Sequence, residues 1–224
     1  MIADNILDFL FALEFNIKLP RGVQVMDVHK DRLVQKAFIS FYKKYYNDQK
    51  KRYLIVGINP GRLGGGITGI PFTDPVNLER YCGITNSWKK QQELSSQFIY
   101  EMIDCYGGAK KFYQRFYISA ISPLGFVKGN KNLNYYDDKV LLKRIEPFAV
   151  HCLKQQLQMK IDTSVCFCIG EGENFNYLNK LNEKHSFFES IIPLPHPRFI
   201  MQYKLKQKQQ YLDQYVSVLS SANT

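Results

Sequence analysis

The chain lacks the features that mark secreted and membrane proteins. Its five cysteines, Cys82, Cys105, Cys152, Cys166 and Cys168, are odd in number and show no zinc-like spacing. They argue against a disulfide framework and for a reducing compartment. No apolar run approaches the ~20 residues that a membrane span needs. The N-terminal apolar stretch carries Asp4 and Asp8 without a leading basic cluster, so it does not read as a signal peptide. The expected setting is cytoplasmic in a bacterium or nuclear in a eukaryote, not secreted. Acidic residues are in deficit, 20 Asp and Glu against 30 Lys and Arg, a formal charge of +10. That surplus favours an anionic partner, nucleic acid first, although net charge alone also fits an ordinary basic protein. Internal repeats and low-complexity segments are missing. Gly-rich Gly61 to Gly66 lacks the Gly-Lys-Ser/Thr ending of a phosphate-binding loop, which weakens a nucleotide-hydrolase reading.

What is present suits one globular domain spanning 1–224, with residues 1–50 as N-terminal helices packed on it. Hydrophobic residues make up 45% of the chain, enough for a core around a central sheet. The organising stretch is Tyr53 to Pro75. Tyr53-Leu54-Ile55-Val56 is a short apolar run that reads as a buried parallel strand. It breaks into Gly57-Ile58-Asn59-Pro60-Gly61 and then Gly64-Gly65-Gly66. A parallel sheet usually holds its ligand in such a loop, at the carboxyl edge of the strands. Asn59 and Arg62 bring polar side chains there, and Phe72 brings a flat apolar plate.

Periodicity and breakers predict the rest. Helices are expected over Asn5 to Glu14, Asp27 to Tyr46, Pro75 to Cys82 (capped by Asp74), Gln91 to Tyr106 and Lys139 to Met159, the last kinked or split at Pro147. In the second of these, Leu33 belongs with Ala37, Phe38, Phe41 and Tyr45 on one side. Gly22 to Met26 reads as a linker and Lys128 to Asp137 as a polar loop. Further strands are Phe116 to Ile121, Ser164 to Ile169 and Glu189 to Ile192, with helices after the last two. Alternating strands and helices predict an α/β fold, a three-layer α/β/α sandwich on a central, mainly parallel four-stranded sheet. The Asn59 loop and the Pro195-His196-Pro197 loop then share one sheet edge, although 137 positions separate them. The flanking prolines fix the direction of the His196 ring. A structural hydrogen bond is the plainer role for a lone histidine; its loop position favours a functional one.

Gly57-Ile58-Asn59-Pro60-Gly61 with Thr68-Gly69-Ile70-Pro71-Phe72 resembles the first motif of the uracil-DNA glycosylase superfamily, and His196-Pro197-Arg198 resembles its second. The segment from Tyr53 to Gly83 is most similar to the single-strand-selective monofunctional branch. The resemblance implies a DNA glycosylase that needs no cofactor or metal and acts on DNA, single- or double-stranded, as a monomer away from membranes. Asn59 would hold the attacking water and His196 would donate to the base oxygen that gains charge. Phe72 would stack on the base, and Gly61, Arg62 and Leu63 would cradle it through backbone N–H groups. Arg198, Phe199 and Ile200 would form a wedge, with Lys204 on phosphates. For Phe199 and Ile200, inward packing at the start of a helix is an equal expectation. No lysine occupies the loop as a nucleophile, so water attack is expected rather than a Schiff base.

One position departs from the family. The strand that should read the base edge carries Ala120 where the pattern has Asn, and alanine has no donor or acceptor. Either Ser119 or Ser122 substitutes, or the base differs from uracil. The alternative reading is a weak or inactive nucleic-acid binder of the same fold.

Overall fold

The structure is a computed structural model that describes residues 1–222. In chain order it runs α1 (Ile2–Phe11), β1 (Val23–Met26), α2 (Arg32–Tyr45), β2 (Arg52–Gly57), α3 (Gly65–Thr68), α4 (Pro75–Arg80), α5 (Leu94–Cys105) and α6 (Ala109–Tyr113). It continues with β3 (Phe116–Ala120), β4 (Gly125–Lys128), β5 (Lys131–Leu133), α7 (Lys139–Leu157), β6 (Ile161–Ile169), α8 (Glu173–His185), β7 (Ser190–Leu194), α9 (Pro197–Tyr203) and α10 (Lys208–Ser221).

The central sheet has the order β3-β2-β6-β7, every pair parallel. Leu54, Ile55 and Val56 are buried, as are Cys166, Phe167, Cys168 and Ile169 on the neighbouring β6. Strands covered on both faces need apolar residues at every position, which explains these uninterrupted runs. Helices cover the two faces and complete three layers. The register sets Gly57 level with Ala120 and Ile169 level with Leu194. The loops after β2, β3 and β7 therefore leave from one edge. β2 and β7 stand two strand spacings apart, about 10 Å, which is what brings Asn59 and His196 to one place.

Several boundaries differ from the sequence expectation. Gly22 to Met26 is not a linker: Val23–Met26 is β1, which pairs antiparallel with β4, and β4 pairs with β5. Lys128 to Asp137 is thus partly a hairpin. These strands are only three or four residues long, too short to carry a readable period. The helix expected from Asp27 begins at Arg32, after a 3-10 turn over Val28–Lys30. Asp31 interrupts it by taking extended backbone and accepting from the N–H groups of Leu33 and Val34. Leu33 then points outward, 53% exposed. The first helix starts at Ile2 instead of Asn5. Pro147 does not split α7. It lies on the exposed side, where water can donate to the Lys143 carbonyl that the missing N–H leaves without a partner. Asp74 caps α4 as expected, accepting from Asn77 N–H at 2.8 Å.

Candidate active site

At the carboxyl edge of the sheet lies a cavity of about 280 Å³, close to the small end of ligand sites. Asn59 and Gly61 reach it from the loop after β2, Phe72 from the segment after α3, Ser119 and Ala120 from β3, and His196 from the loop after β7.

Asn59 is held on both sides of its amide. Its Oδ1 accepts from Tyr135 N–H at 3.0 Å and its Nδ2 donates to the Leu133 carbonyl at 3.2 Å. An amide has two donors and two acceptor positions, so one N–H and one lone pair remain for a bound water. Tyr135 is itself anchored, its hydroxyl donating to Asn174 Oδ1 at 2.8 Å, while Asn174 Nδ2 donates to the Ile169 carbonyl. The orientation of Asn59 thus depends on a buried chain that runs to the end of β6.

Phe72 adopts φ +52°, in the left-handed region that favours glycine. Its ring lies against Gly57, where a Cβ would stand 2.8 Å from Cε2 and 2.9 Å from Cζ. Only glycine leaves room for the ring there. The Phe72 and His196 rings are 6.3 Å apart between centroids, and both border the cavity.

His196 caps α9. Its Nδ1 accepts from Arg198 N–H at 3.1 Å. That bond fixes the tautomer: Nδ1 is the acceptor, so Nε2 carries the proton. Desolvation, with Arg198 nearby, lowers its pKa to about 4, so the ring is neutral near pH 7. It keeps some solvent contact because it stands on a cavity wall, but the protein around it disfavours the cation. The loop is braced from behind, where the buried Tyr215 hydroxyl donates to the Pro195 carbonyl.

Other expected residues are placed differently. Ile200 is 0% exposed and packs into the core, so it cannot enter a base stack. Phe199 is 43% exposed and Tyr203 73% exposed; both border the cavity, with ring centroids 5.8 Å apart. The helical repeat turns Ile200 inward and leaves this aromatic pair outside. Arg62 and Leu63 lie in an adjoining groove, shared with Lys131, Glu93, Arg198 and Gln202. The Arg62 N–H is already donated to Asn132 Oδ1 at 3.0 Å, so it is not free for a base. Lys204 ends α9 and borders neither depression. Ser122 is buried and donates to the Leu124 carbonyl, which leaves Ser119 as the serine on the wall beside Ala120.

Sequence reasoning missed Glu93, Asn132, Asn134, Tyr136, Gln202 and Tyr203, all on the cavity wall. Glu93 is the carboxylate there. Among the described residues its carboxylate forms no hydrogen bond or ion pair, although Arg198 stands close enough to act on its charge. Burial, reinforced by the Asp74 carboxylate and opposed by Arg198, pushes its pKa up to about 7. Among the described residues no cluster of three or more His, Cys, Asp or Glu is arranged to hold a metal, and no helix is long and apolar enough to cross a membrane.

The Uracil DNA glycosylase superfamily model matches residues 43–220. The crystal structure of wild-type SMUG2 from Pedobacter heparinus is similar at a TM-score of 0.95 and 46% identity, over 99% of this chain and 98% of that one. A search of curated proteins returns no match. With its motifs at the carboxyl edge of a parallel sheet, the chain belongs to the uracil DNA glycosylase superfamily, on its single-strand-selective monofunctional side.

Proposed function

We propose that the protein is a monofunctional DNA glycosylase, hydrolysing the bond between deoxyribose and uracil or another deaminated or damaged base as the first step of base excision repair. The observation that supports this most is that Asn59, Phe72 and His196, drawn from separate parts of the chain, border one cavity.

Breaking the bond leaves positive charge on the sugar and negative charge on the departing base. Asn59 keeps a donor and an acceptor free to orient water toward the sugar carbon. Positioning is effective when the sugar is already cationic. His196 offers Nε2–H to a base oxygen. A fixed neutral donor stabilises developing anionic charge without having to reorganise. Phe72 supplies the stacking face. The base must leave the helix to arrive there, and the exposed Phe199–Tyr203 pair at the mouth suits the gap it leaves. Arg62, Lys131 and Arg198 along the groove suit the phosphates.

Ala120 removes a polar contact from the wall where the base edge is expected. Ser119, Asn132 and Asn134 remain as polar neighbours in the cavity. A reading site with one contact missing discriminates less, so acceptance of more than one deaminated base is expected.

The test is alkali-induced strand cleavage after incubation with single- and double-stranded oligonucleotides bearing uracil, hypoxanthine or xanthine. Base release abolished by Asn59→Ala supports the proposal. Tight DNA binding with no release from any substrate favours a binding protein of the same fold.

A further inference from the structure

Water attack leaves a proton that Asn59 cannot take, because an amide is not a base at neutral pH. We infer that Glu93 accepts this proton, as a catalytic residue of the same site; the inference rests on the glycosylase reading.

The other titratable side chains on the cavity wall are unsuited to the task. Arg198 has no acceptor. Burial raises the pKa of Tyr136 to about 12, so its phenol stays protonated. His196 has Nδ1 engaged by Arg198 N–H and its proton on Nε2. Tyr203 is an exposed phenol at the mouth. Glu93 alone presents an open carboxylate, and its proton affinity is close to the working pH, where a general base is most effective.

Its position fits. Oε1 lies 2.5 Å from where a Cβ on Gly61 would stand, and Oε2 packs against Gly64 in the same way. Gly61 is two residues beyond Asn59. Asn132 Nδ2 lies 3.4 Å from that same Gly61 point, and the next residue, Leu133, takes the Asn59 amide hydrogen. The carboxylate therefore packs on the loop that carries Asn59, and both residues line one cavity. A side chain at 61 or 64 would displace the carboxylate, which gives both glycines a reason beyond loop flexibility. Asp74 Oδ2 accepts from Glu93 N–H at 2.9 Å, so the residue is anchored by its backbone and its carboxyl is left open.

In the step, the water oxygen bonds to the sugar C1′ and its proton passes to a Glu93 oxygen. The C1′–N bond breaks and its electron pair leaves with the base. The proton then goes to solvent or to the released base, and a hydroxyl remains on the abasic sugar. The charges facing Glu93 are Asp74 behind it, Arg198 from α9, and Arg62 and Lys131 along the groove; His196 and Tyr136 are neutral near pH 7. DNA phosphates raise its proton affinity further.

The experiment is single-turnover base release from a uracil oligonucleotide between about pH 5 and pH 9. The wild type is compared with E93Q, and with E93A in the presence and absence of formate. Binding to abasic-site DNA is measured in parallel. The expected wild-type rate climbs with pH through a midpoint at or above about 7 and then levels. Both variants lose on the order of 10²-fold at the plateau, lose that limb, and bind abasic DNA as before, while formate partly restores E93A. An E93Q rate and limb equal to wild type would make Glu93 a prop for the glycine loop and overturn the inference. A wild-type rate that instead falls through pH 7, with E93Q active, would make it a protonated reader of the base and overturn it equally. No release by wild type overturns the glycosylase reading as well, so the two failures are distinguishable.

Discussion

Gly57→Ala tests how tightly the stacking plate is built. The added Cβ would stand 2.8 Å and 2.9 Å from two Phe72 ring carbons, against a comfortable carbon–carbon separation of about 3.5–4.0 Å. The ring must give way by roughly 1 Å to restore that separation. Its backbone is poorly placed to absorb the change, because Phe72 already holds φ +52°. The ring therefore tilts into the cavity. Overpacking of this kind costs about 1–3 kcal/mol. A shift of about 1 Å in a positioning group costs up to ~10²-fold in rate. Thermal or denaturant unfolding should report the first figure and single-turnover base release the second, with abasic-DNA binding little changed. The two sites must also couple: in a Phe72→Leu background, Gly57→Ala should cost markedly less stability. Full activity in Gly57→Ala, or the same stability cost in both backgrounds, would refute the reasoning.

Other consequences follow from charge and exposure. His29 is buried, and desolvation lowers its pKa from 6.5 to about 4, with Asp27 and the Gly69 backbone opposing. Between these values the unfolded chain binds more protons, so stability is fully present above about pH 6.5 and declines as pH falls toward 4, by up to about 3 kcal/mol from this group. His196 shifts in the same direction, and His29→Leu should flatten part of the decline measured by denaturant titration. DNA affinity should fall steeply with salt, and Arg62→Ala should reduce the slope of log K against log salt by about one. Phe199→Ala should slow release from double-stranded DNA more than from single-stranded DNA, since only the duplex needs a filled gap; equal slowing would count against a wedge.

The parallel sheet was legible because buried strands demand continuous apolar runs, and Leu54 to Val56 and Cys166 to Ile169 supply them. The meeting of Asn59 with His196 was legible for the same reason, since parallel strands send their following loops to one edge. Glu93 was not. It sits just before α5 as an ordinary polar residue, and nothing local reveals that the fold turns it onto Gly61 and Gly64. Asn132 and Asn134 lay in a segment read as a polar loop, where sequence gives no direction to a side chain. Ile200 was misplaced because one residue of helical rotation decides between core and solvent. Phe199, next to it, faces out.

The most direct measurement is a crystal structure of the protein with abasic-site DNA and free uracil. The base should lie over the Phe72 ring, with one oxygen about 3 Å from His196 Nε2 and a water on the Asn59 amide facing the sugar. A base seated instead in the groove beside Arg62, or a cavity closed by Phe72 and His196 with the DNA bound elsewhere, would contradict the account.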